Sequence, residues 1–372
     1  MVLETGSSTT VASTEPAIDA SRAFEACEGN MRAAGYAPDG SLVVEERPVP
    51  VPGEDEILVA VDYCGICGTD VHAIREGWAR AGGVLGHECA GRVAAVGSGV
   101  RGWSEGDAVT VEPILSCGTC ELCRAGRPAL CRAHLTAMIE GTWPGAFAEY
   151  VRVHHRQVHR LPPGLDLRTA ALTEPLAVAL HAVTLSGLQS GQTALVTGAG
   201  PLGCLCVAAL RARGATRVIV SEPSAARRAA ALACGAEDVV PPGELEVPAS
   251  PLVEVSAPVD VVLECSGNPA AFEAGLAQLR PGGTLVIVGT GLTRPTLEHM
   301  RVLLRELVIT GAFNYDAAGF ADALALLASG SLPLGGLVSP EDVRLEDIMT
   351  AVDGLAAGAI AQKMLVAPGP CA

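Results

Sequence analysis

Apolar positions fall into two rhythms along this chain. From residue 31 to about 165 they come as short, often alternating runs, cut at close intervals by Gly and Pro. The segments 42–45, 57–62, 91–96, 108–112, 146–153 and 158–161 each read as a short strand. Turn signals at such spacing predict a compact, β-rich, barrel-like unit. Residues 168–187 then read as a helix. From about 190, solidly apolar strands at 193–197, 217–221 and 259–264 alternate with helices at 198–213, 225–234 and 269–279. Two more strands are expected at 284–288 and 307–310. Unbroken apolar strands between helices predict a parallel sheet covered on both faces, an α/β, doubly wound arrangement. The remainder holds helices at 320–329 and 345–355 and a strand at 363–367, which returns to complete the first unit. The loop-rich stretch 241–258 reads as a surface excursion.

Composition narrows the class of protein. Of 372 residues, 49% are hydrophobic, 18% charged and 3% aromatic, which describes a globular chain with aliphatic cores. The length accommodates two units with a core each. A formal net charge of −16, with no basic cluster set against it, excludes nucleic acid and an anionic membrane surface as partners. No apolar run reaches the roughly 18 residues of a membrane span. Residues 1–30 are rich in Ser, Thr, Ala and Glu, with Arg22 their one basic residue, and resemble neither a secretory signal nor a transit peptide. They read as a poorly ordered extension with a short helix at 18–27. Thirteen Cys, several of them clustered, point to metal binding in a reducing cytoplasm rather than to a disulfide scaffold.

The chemistry concentrates between Cys64 and Glu88. Cys64-Gly-Ile-Cys67-Gly-Thr69-Asp70-Val-His72, followed by Gly86-His87-Glu88, offers thiolate, imidazole and carboxylate on loops leaving a strand. These are the three donor types that suit zinc. One Cys, one His and one Glu resemble a catalytic site, which keeps a position for water or substrate. The alternative is a redox pair or two buried thiols, but neither needs the Gly-His-Glu that follows. A second cluster, Cys117-x2-Cys120-x2-Cys123-x7-Cys131, places four thiols in a Gly- and Pro-containing loop. Four thiolates wrap one tetrahedral zinc with no open position, so the expected role is structural; iron–sulfur ligation is the competing reading. In the helix at 168–187, Glu174 sits among apolar residues and is either an exposed helix-start charge or a buried group facing a cation. Cys204, Cys206, Cys234 and Cys265 lie among apolar neighbours and are expected in the core.

The strand at 193–197 runs into Gly198-Ala-Gly200-Pro201-Leu202-Gly203, which opens a helix, and the next strand ends at Glu222. G-x-G-x-x-G alone is weak, but strand before, helix after and acid at the following strand end are the context a dinucleotide fingerprint requires. The first glycine makes the turn, the second admits the pyrophosphate, the third allows close helix–strand packing, and the helix N-terminus supplies N–H groups. Glu222 would accept hydrogen bonds from the ribose hydroxyls and repel a 2′-phosphate, which predicts NAD over NADP. Arg227 and Arg228 stand where an arginine accommodates that phosphate.

Taken together, CGICGTDVH, GHE, the four-cysteine lobe, TEPLAVALHA and GAGPLG resemble the zinc-containing medium-chain alcohol dehydrogenase family, in its polyol (sorbitol-type) and threonine dehydrogenase branch, over about 31–372. The resemblance implies a GroES-like catalytic domain at 31–180 and 315–372, with a structural-zinc lobe at 113–133, interrupted by a Rossmann domain at 181–314. It implies Cys67, His87 and Glu88 as catalytic zinc ligands and Glu174 at the same zinc, directly or through water. Cys64 becomes a packed thiol, Asp70 the group that orients His87, and Thr69 and His72 a proton relay. Lys363 falls where the family often places a basic residue near the cofactor phosphates. The implied cofactors are one catalytic zinc, one structural zinc and NAD. The implied activity is hydride transfer between NAD and a secondary alcohol in a polyol, cyclitol or amino alcohol, by a homodimer or homotetramer. L-threonine 3-dehydrogenase and a non-catalytic zinc- and nucleotide-binding protein are the alternatives. The segments at 75–80 and 140–144, with Trp78 and Trp143, are expected to be pocket walls or surface loops.

Overall fold

The structure is a computed structural model that describes residues 29–369. The short helix expected at 18–27 lies outside the described residues. The chain opens with an antiparallel pair, β1 (Asn30–Tyr36) and β2 (Leu42–Pro48). There follow β3 (Glu56–Gly65), β4 (Glu88–Val96), β5 (Ala108–Val111), β6 (Tyr150–His154) and β7 (Val158–Arg160). With β14 (Leu365–Val366) these form an antiparallel sheet in the order β14-β3-β4-β5-β7, with β6 pairing the first half of β3 along the same edge as β14. The C-terminal strand therefore does return to the first sheet, beside Cys64 and Gly65.

The second sheet is parallel throughout. Its strands are β8 (Thr193–Thr197), β9 (Arg217–Ser221), β10 (Asp238–Val240), β11 (Val259–Glu264), β12 (Leu279–Ile287) and β13 (Val308–Gly311), in the order β10-β9-β8-β11-β12-β13. Numbered within the sheet this is 3-2-1-4-5-6, the doubly wound order whose direction reverses between the first and fourth strands. Ligands of such sheets lie outside the carboxyl ends at that switch point, which here means just after Thr197 and Glu264. Each sheet has its own apolar core: Ile57, Leu58, Val59 and Phe147 anchor the first, while Leu205, Leu210, Leu263 and Phe320 anchor the second. Each such side chain contributes roughly 1.5–3 kcal/mol on burial.

Three segments depart from the pattern reading. β1, written NMRAAGY, has no β-branched residue, and its register against β2 holds it extended. Of the strand expected at 146–153, residues 146 and 147 instead bond to the His87 turn, through Ala146 N to Gly86 O (2.9 Å) and Phe147 N to Leu85 O (2.9 Å). The helix expected at 168–187 is two helices, Leu167–Ala170 and Thr173–Ser186. Cys204, Cys206 and Cys234 are core residues as expected, but Cys265, one residue past β11, is partly exposed.

Candidate active site and metal centres

The antiparallel register of β3 on β4 sets Gly65 opposite Glu88. It thereby brings the loop after β3 against the turn before β4. Cys67 caps the helix Gly68–Arg75, and its N–H donates to Asp70 Oδ2 (2.9 Å). Asp70 Oδ1 accepts from Gly86 N (3.2 Å) and lies 3.7 Å from His87 Nδ1. Asp70 thus joins both loops and is 3% exposed. Burial would raise its carboxyl, but His87 and the two backbone donors hold it below the ordinary carboxylate range. Gly86 has φ +88°, a left-handed value open to glycine, and this turn aims His87 and Glu88 at the same point.

The donor atoms of Cys67, His87 and Glu88 all lie within 4.8 Å of one another. Glu88 is 1% exposed and its Oε1 has no hydrogen-bond donor. A buried, unpaired carboxylate oxygen beside a thiol and an imidazole fits a divalent cation with S, N and O affinity, and zinc is that ion. His87 is raised above the usual imidazole range because Asp70 and Cys67 outweigh its burial. A cation at this point takes the place of that proton. Cys64 is fully buried and its thiol is pushed well up by that burial, as expected of a packed residue.

Lys363 lies beside the metal-type cluster. Its Nζ forms an ion pair with Glu88 Oε2 and donates to Ile66 O (2.9 Å), at 3% exposure. Its contacts are therefore with the metal-type cluster and not with the glycine turn. Burial would lower its ammonium, but Glu88 first, then Cys67, raises it. A Cβ on Gly65 would collide with Glu88 Oε2 and come within 2.7 Å of Lys363 Cε, so this glycine makes room for the pair.

Glu174, in the first turn of Thr173–Ser186, is buried at 6% exposure, which settles its two sequence readings in favour of the inward one. It stands outside the close trio, yet burial, with Glu88 adding to it and His87 and Lys363 opposing, pushes its carboxyl up to about 7. Thr69, two residues after Cys67, is exposed. His72 Nδ1 meets Glu76 Oε1 at 2.7 Å and its ring stacks on Trp78 at 5.7 Å. Trp143 Nε1 donates to Gly86 O (2.9 Å). Trp143 therefore reaches the backbone beside His87, while Trp78, 45% exposed, touches His72, and Glu76 is a partner the sequence reading missed. Its i, i+4 spacing from His72 was the available signal.

The sulfurs of Cys117, Cys120, Cys123 and Cys131 form a second close group, with Cys120 and Cys123 Sγ 3.4 Å apart. Backbone N–H groups point at the sulfurs: Cys120 N to Cys117 Sγ (3.4 Å), Cys123 N to Cys120 Sγ (3.5 Å) and Cys117 N to Cys131 Sγ (3.4 Å). Hydrogen bonds of this kind favour thiolates, and Cys117 is lowered to about 6 by Thr119 and Cys120. Four thiols with no carboxylate or imidazole among them fit a closed tetrahedral zinc.

At the switch point, Gly198 has φ +91° and Gly200 caps the helix Pro201–Ala212, with Pro201 at its first position. A Cβ on Gly203 would strike Gly198 O, so turn and helix pack without space for a side chain. Pro201 and Leu202 are half-buried. Glu222 is 4% exposed and accepts from Ala199 N (2.8 Å) and Ser224 N (2.9 Å). Arg227 Nη2 donates to Ile360 O (3.2 Å), and Arg228 Nη1 to Glu222 O (2.7 Å) and Pro223 O (2.8 Å). One nitrogen of each guanidinium thus meets backbone carbonyls, while Arg227 Nε is buried without a partner.

Residues 53–163 match the alcohol dehydrogenase GroES-like domain family and residues 201–329 the zinc-binding dehydrogenase family. The chain is 36% identical to sorbitol dehydrogenase of Bacillus subtilis over 87% of its own length and 93% of that protein. It is also 36% identical to 2-dehydro-3-deoxy-L-galactonate 5-dehydrogenase of Pseudoalteromonas atlantica, over 83% of this chain and 91% of that one. Among solved structures, a zinc-binding dehydrogenase from Sinorhizobium meliloti, bound to NADP, superposes with a TM-score of 0.82 at 35% identity, covering 92% of this chain and 100% of that one. With its GroES-like and Rossmann-type parts, the metal-type trio and the four-thiol lobe, the chain belongs to the zinc-containing medium-chain alcohol dehydrogenase family.

Proposed function

We propose that this protein is a zinc-dependent dehydrogenase that oxidises a secondary alcohol of a polyhydroxylated substrate with NAD. The observation that carries it is the buried Cys67–His87–Glu88 group, with one Glu88 oxygen left without a donor. Relatives named for sorbitol and for a sugar-derived acid support a polyol class of substrate. When bound, zinc supplies Lewis acidity, which takes even water from a pKa of 15.7 to about 7, and the dinucleotide supplies the hydride acceptor.

The chain's own residues then have separable tasks. Cys67, His87 and Glu88 hold the ion, with Glu174 beside it, and Asp70 fixes the His87 ring. Two anionic ligands and a neutral imidazole balance a divalent charge, and Lys363 adds a positive charge behind Glu88. That extra charge offsets Glu174 when it is ionised, so both carboxylates can stay near one cation. Thr69 and His72 carry the substrate hydroxyl proton towards solvent, with Glu76 accepting from His72 Nδ1. Gly198, Gly200, Pro201, Leu202 and Gly203 would frame the pyrophosphate, and Glu222 would hold the ribose hydroxyls. Glu222, which would repel a 2′-phosphate, favours NAD. The four cysteines hold a structural zinc that orders a lobe with little core of its own. The eleven described cysteines are all free, which fits a reducing compartment such as the cytoplasm, and no described helix is long and apolar enough to cross a membrane. The assembly is a homodimer or homotetramer.

The test is NADH formation at 340 nm with a panel of polyols, cyclitols, sugar acids and L-threonine, run with NAD and with NADP. Turnover of a polyol with NAD supports the reading. Preference for threonine or for NADP corrects it, and no turnover on any substrate overturns it.

A further inference from the structure

Beneath the glycine turn lies a set of thiols that the proposed chemistry does not use. Cys204 and Cys206 sit on the helix Pro201–Ala212, Cys234 follows the helix Ala225–Ala233, and Cys265 follows β11. Cys265 Sγ lies 3.6 Å from Cys206 Sγ. Cys206 is fully buried, whereas Cys265 is partly exposed at the carboxyl edge of the sheet. Cys204 and Cys234 are fully buried, and Cys204 Sγ donates to Ala199 O (3.6 Å). Cys265 is thus the one member of the four open to a reagent from solvent.

We propose that Cys206 and Cys265 are a thiol-oxidation site, forming a disulfide with a peroxide and thereby weakening dinucleotide binding. The Cys265 thiolate attacks one peroxide oxygen, giving a sulfenic acid and, after protonation, one water. The Cys206 thiol then attacks the sulfenic sulfur, forming the S–S bond and releasing a second water. Two thiols lose two electrons and the peroxide gains them. The hydrogen bond to Cys206, followed by desolvation, raises the Cys265 thiol, so the reaction accelerates as pH rises.

The consequence for binding follows from the absence of slack. Bond formation shortens the 3.6 Å contact to about 2.05 Å, so one side must move by roughly 1.5 Å. Cys265 N is tied to Thr197 O (2.8 Å), and the next turn is tied by Glu264 to the N–H groups of Ser266 (2.8 Å) and Gly267 (3.1 Å). A Cβ on Gly198 would already lie 2.8 Å from Ser266 Cβ, so this turn is packed against the residue after Cys265. A close-packed contact of this kind transmits the shift into the turn at 198–203. This effect on NAD rests on the dinucleotide reading above.

The experiment treats reduced, zinc-loaded enzyme with hydrogen peroxide and maps peptides without reduction, while NAD affinity is followed by fluorescence titration. The expected result is a peptide linked through Cys206 and Cys265, formed faster at higher pH, and NAD binding weakened about tenfold or more and restored by dithiothreitol. That is the scale on which a displacement of about 1 Å is felt in a preorganised site. Cys265→Ser should form no such link and keep its NAD affinity under peroxide, and Cys206→Ala should do the same if Cys265→Ser folds poorly. Absence of the linked peptide, or its presence with unchanged affinity, overturns the proposal. Untreated enzyme that binds no NAD overturns the dinucleotide reading instead, and the linked peptide still decides the thiol pairing.

Discussion

Asp70 has no part in a hydride transfer, yet it touches Cys67 N, Gly86 N and the His87 ring from one buried carboxylate. Removing its charge while keeping its shape should loosen the ring without unfolding the loops. Asp70→Asn is therefore expected to weaken zinc retention at the Cys67 centre about 10–100-fold, the usual effect of losing a carboxylate behind a ligating histidine. Competition with a chelator, read by elemental analysis, should show one zinc lost early and the four-cysteine zinc kept; equal retention of both would sink the role. The donor residues themselves were legible because one motif carries them at close spacing. The Lys363–Glu88 pair was not, because the two residues meet only when β14 returns beside β3. A lone lysine near a C-terminus carries no local signal of such a partner.

The elements that were read well have an unmistakable period or punctuation. β8, the glycine turn and the helix after it are one such unit, because apolar strand, G-x-G-x-x-G and helix leave little alternative. Two elements without such marks were not seen. β10 has three residues, and the helix His299–Arg305 has its polarity reversed, with Arg301 and Arg305 buried and Leu303 exposed. Element packing also sets a limit at Gly203, whose added Cβ would meet the carbonyl of Gly198 rather than a movable side chain. Gly203→Ala is expected to destabilise by about 1–3 kcal/mol, the range for overpacking, and to reduce NAD affinity more than zinc content. Thermal unfolding with a parallel NAD titration checks both. A variant with wild-type stability and affinity would mean that the turn yields more easily than its packing implies.

At the scale of the molecule, the far edge of the parallel sheet is unfinished. β13 is the outermost strand there, and Val308 on it is 50% exposed. Beside it, Met300 (40%), Leu303 (66%) and Leu304 (47%) face outward, while Arg301 and Arg305 turn inward to Ser250 O, Pro251 O and Leu279 O. A helix that buries its arginines and exposes its leucines is inverted for a free surface, and an uncovered strand edge is a template for pairing. A second copy related by a two-fold axis satisfies both features at once, since each edge strand and each apolar helix face then meets its equivalent. We propose this face as the contact between copies within the proposed homo-oligomer. Leu303→Glu would place two carboxylates in that contact, so light scattering behind size exclusion should show a smaller species than wild type, with unchanged circular dichroism. A wild-type monomer, or a variant that keeps the wild-type mass, would assign the exposed leucines to some other partner.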